Sequence, residues 1–246
     1  MVHKLAIIAV LGLTGSAICM GAAAAIGGRE FGKGWDGMDI GMFMDRDRPR
    51  CERADNATAT SRDLDWDGSD IFSLNVPGHA SYRPGNEDKL HVSGDAQTLA
   101  HLRIHDGRLE MDCRGWHRDS EALTITLPGR EFKKFSIAGS GNLVLHNLDQ
   151  NRLKVSIAGS GNIKADGKVE HAEVHIAGSG DADLGEVKSQ ISEVHIAGSG
   201  NTDIAPSDEA DIHIAGSGDV NLHSNPKKLE THIAGSGRIH NIASGG

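Results

Sequence analysis

Four histidines recur at one place in a repeating pattern. His175, His195, His213 and His232 each stand directly before an Ile-Ala-Gly-Ser-Gly pentapeptide, where the two earlier copies carry Ser136 and Ser156. Imidazoles brought into a column can share zinc or copper and titrate near neutral pH. A single file offers poor tetrahedral geometry, and no acidic support for the rings is evident. The competing reading is therefore that histidine replaces serine on a solvated strand face. No resident metal or cofactor is expected, and these four are the candidates should one bind.

A second set of residues is acidic. Asp183 and Asp203 share a column with Lys164 and Asn221. Two carboxylates one rung apart approach the separation of about 5–5.5 Å that retaining glycosidases use. The competing reading is a charged, solvated face that blocks side-by-side aggregation. The units Gly178–Asp181 and Gly216–Asp219 look like calcium-binding β-roll loops, but those repeat every nine residues or so, with the Asp placed differently. Cys51 and Cys113 have no His or Asn constellation that would make either a catalytic thiol. The expectation is a non-enzyme.

The elements that must hold these columns follow from the repeat. The pentapeptide begins at Ile137, Ile157, Ile176, Ile196, Ile214 and Ile233, at intervals of 18 to 20 residues. Near-constant spacing of about nineteen residues predicts an all-β solenoid with one coil per repeat. Before the glycines, Val174-His175-Ile176, Val194-His195-Ile196 and Ile212-His213-Ile214 alternate apolar and polar residues, the period of a strand. After them, Leu143 and Leu145, Ala182 and Leu184, Thr202 and Ile204, Val220 and Leu222 alternate again. Each coil is thus expected to hold at least two short strands around a Gly-Ser-Gly corner, with a third suggested by Leu153, Ala172, Ala210 and Leu229.

The corner glycines are Gly139, Gly141, Gly159, Gly161, Gly178, Gly180, Gly198, Gly200, Gly216, Gly218, Gly235 and Gly237. A sharp turn between stacked rungs needs positive φ and close backbone approach, which only glycine supplies cheaply. The next residue is Asn142, Asn162, Asp181, Asn201, Asp219 and finally Arg238. Stacked at the rung spacing of ~4.8 Å, the Asn and Asp side chains can hydrogen-bond along the ladder.

The chain divides into four segments. Residues 1–25 carry a short basic head, His3 and Lys4, then an uncharged apolar run ending in Ala23-Ala24-Ala25, which reads as an export signal cleaved near Ile26. The competing reading is an uncleaved anchor crossing the membrane through residues 5–26. Cys19 does not suit lipid attachment, because Ile18 precedes it. Residues 26–65 form a linker without strand or helix periodicity, in which Met38, Met42 and Met44 are a weakly apolar tether. Residues 66–135 hold the strand-like runs IFSLNVPG, KLHVSG, LRIHDGRLEMDC and LTITLPG and are expected to cap the solenoid of residues 136–246. The last coil has no obvious cap and is a candidate self-association surface. With Cys19 in the leader, Cys51 and Cys113 remain as an even pair in an oxidising compartment, most simply a disulfide. It would close a loop of about sixty residues, worth roughly 3–5 kcal/mol.

Composition agrees with this division. The 246 residues include 32 Gly and only 6 Pro, so collagen is excluded. The net charge of −9, which becomes −10 when residues 1–25 are removed, argues against nucleic acid or an anionic membrane surface as partner. All nine aromatic residues precede residue 136.

A strand ending in VPG, the runs HVSGD, DGRLEMDC and LTITLPG, and the repeated strand-GSG-[Asn/Asp] units resemble the bacterial head GIN domain, an auto-transporter adhesin family, from about Trp66 to the C-terminus. The resemblance implies a right-handed parallel β-helix in an exported envelope protein, periplasmic or at the cell surface, and no shared catalytic residues. The function expected is an adhesin-like or structural interaction module binding an envelope protein or a polysaccharide. The alternative is a polysaccharide-binding or polysaccharide-degrading β-helix. The chain departs from an adhesin in being short and in having no recognisable outer-membrane translocator.

Overall fold

Alternating apolar and polar residues keep the chain extended, and paired glycines let it turn and return beside itself. The structure, a computed structural model, describes Cys51, residues 59–113 and residues 123–243. The expected leader, Cys19, the linker methionines and linker residues 26–50 and 52–58 lie outside the described residues.

In chain order the elements are β1 (Ala59–Asp65), β2 (Ile71–Leu74), β3 (Gly78–Tyr82), β4 (Lys89–Asp95), α1 (Ala96–His101), β5 (Leu102–His105), β6 (Arg108–Met111), β7 (Leu123–Thr126) and β8 (Lys134–Gly139). There follow four long strands, β9 (Asn142–Gly159), β10 (Asn162–Gly178), β11 (Ala182–Gly198) and β12 (Thr202–Gly216), then β13 (Val220–Leu222), β14 (Lys228–Gly235) and β15 (Ile239–Asn241). All fifteen strands belong to one sheet. The protein is a β-solenoid of stacked parallel coils, and the pentapeptides lie in register from rung to rung: Ile137, Ile157, Ile176, Ile196, Ile214 and Ile233 are successive partners.

The coil differs from its expected division into two or three short strands. Each of β9 to β12 is one continuous strand of 15 to 18 residues. The unequal repeat lengths are absorbed at register shifts between Lys164 and Asp166, between Asp183 and Lys188 and between Ser189 and Ile191. These bulges bend the strand without ending its pairing. None falls in the run leading into a corner, so the histidine position stays aligned.

At the corners the two glycines have different tasks. The first has positive φ, as at Gly178 with +130°. Its carbonyl accepts the N–H of the serine one rung on, as in Ser199 N–H to Gly178 O at 2.8 Å. The second is needed for room: a Cβ on Gly180 would lie 2.2 Å from Gly161 O. The residue after the corner forms the expected ladder. Asn162 Nδ2 donates to Asn142 Oδ1 at 2.9 Å, Asn201 N to Asp181 Oδ1 at 2.7 Å, Asp219 N to Asn201 Oδ1 at 3.0 Å and Arg238 N to Asp219 Oδ1 at 2.8 Å.

The core is a file of Val, Ile, Leu and Ala through the coils, with Val174, Ile176, Val194, Ile196 and Leu184 essentially inaccessible. Rings enter only at the N-terminal end. Phe132 packs edge-on to Trp66 and Tyr82 at centroid distances of 5.2 and 5.5 Å. There β2 and β3 add parallel rungs, Phe72 opposite Phe135 and Ala80 opposite Leu143. Beyond them the parallel run gives way to antiparallel pairing of β4 with β7 and β1 with β4, and of β5 with β6. The β5–β6 hairpin turns at Asp106-Gly107, both at positive φ, the dipeptide suited to a tight hairpin.

Two observations concern the ends of the described residues. The segment expected as linker up to residue 65 closes with β1, which pairs residue for residue with β4. Its residues lack apolar alternation because backbone hydrogen bonds hold it and only Leu64 is buried. At the other end β14 pairs with β12 on one side, and Leu229, Ile233 and Ile242 stand 47, 44 and 50% exposed. Among the described residues no helix is long and apolar enough to cross a membrane.

Candidate functional site

The residue directly before each Ile-Ala-Gly lies between two neighbours that point to the opposite face, apolar and buried in β10, β11 and β12. In β10, β11, β12 and β14 that residue is His175, His195, His213 and His232, partners in adjacent rungs. The four rings stack face to face at centroid distances of 4.9, 5.0 and 4.7 Å, with interplanar angles of 9, 16 and 4°. The face is not the solvated one expected. His175 and His195 are each only 3% exposed, as buried as Ser136 and Ser156 below them, whereas His232 is exposed. Rings at rung spacing cover one another, so exposure is large only where the stack ends.

A second column accompanies the first. Two residues earlier on the same strands lie Glu173, Glu193, Asp211 and Glu230, also partners from rung to rung. His175 Nε2 hydrogen-bonds Glu173 Oε1 at 2.6 Å and His195 Nε2 hydrogen-bonds Glu193 Oε1 at 2.7 Å. His213 Nε2 lies 3.0 Å from Asp211 Oδ1. Lys154 Nζ donates to Glu173 Oε1 at 2.6 Å from the rung below. The histidines therefore do have acidic support, contrary to the sequence reading. The signal was present as Glu-Val-His, Glu-Val-His, Asp-Ile-His and Glu-Thr-His, since strand period two puts residues i and i+2 on one face.

The acidic column with Asp183 and Asp203 is aligned as expected, Lys164 to Asp183 to Asp203 to Asn221. Each of its two carboxylates has a partner. Lys164 Nζ donates to Asp183 Oδ2 at 2.7 Å, while His223 Nε2 and Asn221 Nδ2 meet Asp203 Oδ1 at 2.8 and 3.1 Å. His223, one coil further on, was not recognised in the sequence as a partner because it stands two residues beyond the column. The two Asp residues of the calcium-like loops are spent on backbone N–H groups of the next rung. Cys51 and Cys113 form a disulfide across 62 residues of sequence.

A model of the family described as “Putative auto-transporter adhesin, head GIN domain” matches residues 73–226. The chain belongs to that family. Among solved structures, this head GIN chain is similar to a “putative adhesin” from Bacteroides fragilis NCTC 9343, at 19% identity and a TM-score of 0.64, covering 76% of this chain and 98% of that one. It is also similar to a “putative adhesin” from Parabacteroides distasonis ATCC 8503, at 16% identity and a TM-score of 0.50, with the same coverage. At these identities the likeness concerns the fold. No curated protein matches the chain.

In this head GIN chain the inner histidine–acid pairs tie stability to pH. Burial pushes His175 below its ordinary 6.5, against the opposing pull of Glu173. The hydrogen bond from His175, followed by Lys154, brings Glu173 down to about 2. The charged and titratable groups facing this pair are Lys154 from the rung below and Glu193 and His195 from the rung above. A folded state that declines a proton which unfolded His175 accepts loses stability as pH falls below 6.5. Glu173 adds stability that is complete above its ordinary 4.5 and fades as pH falls toward 2. Both act in the same direction. The urea midpoint is expected to fall between pH 7.5 and 5, and His175→Gln should reduce that slope; an unchanged slope in the variant would place the dependence elsewhere.

Proposed function

We propose that this head GIN protein is an exported, non-enzymatic module of the cell envelope that presents its rigid ladder faces to a partner, an envelope protein or a polysaccharide. The supporting observation is that the groups best suited to acid–base chemistry are committed within the scaffold. Asp183 is held by Lys164, Asp203 by His223 and Asn221, and Glu173 by His175 and Lys154. A hydrolase instead needs one carboxyl free to protonate a leaving group and another free to attack or activate water. A stack of rungs in strict register offers a repetitive, stiff surface, the form solenoids use for extended binding.

A polysaccharide-binding reading has one observation in its favour. Beside the N-terminal aromatic cluster lies an open cleft of about 470 Å³, bordered by Trp66, Asn86, Glu87, Lys89 and Arg130. An indole flanked by charged and amide groups suits a sugar ring.

Cell fractionation with protease shaving tests the main reading: the folded chain is expected outside the cytoplasm, and a cytoplasmic location would overturn it. A glycan array then tests for a polysaccharide as the partner. Binding lost in Trp66→Ala supports a polysaccharide ligand, while glycan turnover lost in Asp183→Asn with Asp203→Asn would make the protein an enzyme.

A further inference from the structure

The histidine–acid ladder changes character at its open end. In the inner rungs each acid completes a short hydrogen bond with its histidine. In β12 it does not: Asp211 Oδ1 is buried without a hydrogen-bond partner, and its 3.0 Å contact with His213 Nε2 lacks hydrogen-bond geometry. His232 stacks on His213 at 4.7 Å and 4°. The donor atoms of Asp211, His213 and His232 all lie within 4.8 Å of one another.

We infer that Asp211, His213 and His232 form a binding site for a divalent transition-metal ion of the zinc class. Two imidazoles and a carboxylate are the donor set that zinc accepts, with water completing a tetrahedron. Ligands at about 2.0–2.1 Å around a tetrahedral ion are roughly 3.3 Å apart, so Asp211 and His213 already stand close to the spacing of two adjacent ligand positions. His232 must approach further and turn its ring out of the stack. It is free to do so because it is exposed on β14, the last rung of the column, whereas His175 and His195 are buried with a residue on each face. Glu230, the rung partner of Asp211, is paired with Lys228 at 2.8 Å. The inner acids already have hydrogen-bond partners, which confines the site to the last two rungs of the ladder, with one ion there. A bound ion would tie β14 to β12 and hold the exposed last coil.

The test is calorimetric titration of the full, untagged chain with zinc chloride in a non-coordinating buffer at pH 7.5. One site with a dissociation constant in the micromolar range or below is expected. His232→Ala and Asp211→Asn should each weaken it at least ten-fold, while His105→Ala, on the exposed β5–β6 turn, should leave it unchanged. Hydrogen exchange provides a second readout: zinc should slow exchange across residues 228–235 in the wild type and not in His232→Ala. Absence of a saturable site, or equal affinity in His232→Ala and wild type, would overturn the assignment. Circular dichroism of the variants separates lost binding from lost folding.

Discussion

Replacing Gly198 with alanine is expected to cost more than about 4 kcal/mol, beyond the range of ordinary point substitutions, and to uncouple the coils on either side of that corner. Gly198 has φ of +140°, and a Cβ there would lie 2.1 Å from Gly178 O. The backbone conformation alone penalises an L-residue by about 1–3 kcal/mol. The larger part is the collision, because the atom struck is a backbone carbonyl already bound at 2.8 Å by the N–H of Ser199. Relieving the contact means separating the rungs and losing that bond. Gly139 supplies the comparison: it has φ of +118°, but a Cβ there meets nothing within 4 Å. Gly139→Ala should therefore show the conformational penalty alone. Urea unfolding of the two variants measures the difference, and equal costs would show that rung collision is not what demands glycine. Since each coil touches only its neighbours, Gly198→Ala should also raise hydrogen exchange beyond residue 199 more than before it.

Loss of the disulfide is the second large effect expected. Cys51 and Cys113 are 62 residues apart, and closing a loop of that length restricts the unfolded chain by about 4 kcal/mol in the chain-entropy account. For a protein of this size such a change corresponds to a fall in melting temperature of roughly 8–16 °C. Cys113 is buried two residues after β6, whose Met111 pairs with Leu102 of β5 and whose Leu109 pairs with Leu74 of β2. The double variant Cys51→Ser with Cys113→Ser and the wild type under dithiothreitol should melt together, both below the oxidised protein. Melting within a degree of the oxidised protein would mean that the bridge contributes nothing. Restoration by reoxidation of the wild type alone distinguishes the bridge from side effects of serine at position 113.

Much of this molecule could be read from residue spacing. The interval between pentapeptides gave the coil, and alternation around Val174-His175-Ile176 gave the inward file. Paired glycines marked the corners, and Asn162 to Asp219 marked the ladder beside them. Even the histidine stack was legible, since residues at one repeat position must superpose if the rungs keep register. The acidic column two residues earlier is encoded by a different relation, between Glu173 and His175 along one strand at period two, and not by the repeat that aligns the copies.

Other features had no sequence signal. Alternation assigns a side chain to a face but does not say what covers that face, so the burial of His175 and His195 was out of reach. The pairing of His223 with Asp203 depends on where bulges absorb the unequal repeat lengths. The strand Ala59–Asp65 is held by backbone pairing with Lys89–Asp95 and carries almost no apolar pattern.

Repetition in the chain thus dictated the solenoid, its corners and its core, because identical residues at near-equal spacing can bury their apolar halves and satisfy their backbones by stacking. Folding in three dimensions settled which polar columns are covered, which acids find a donor, and that Asp211 Oδ1 is left without one. Those outcomes depend on distances of a few tenths of an ångström between neighbouring rungs, and residue spacing does not encode them.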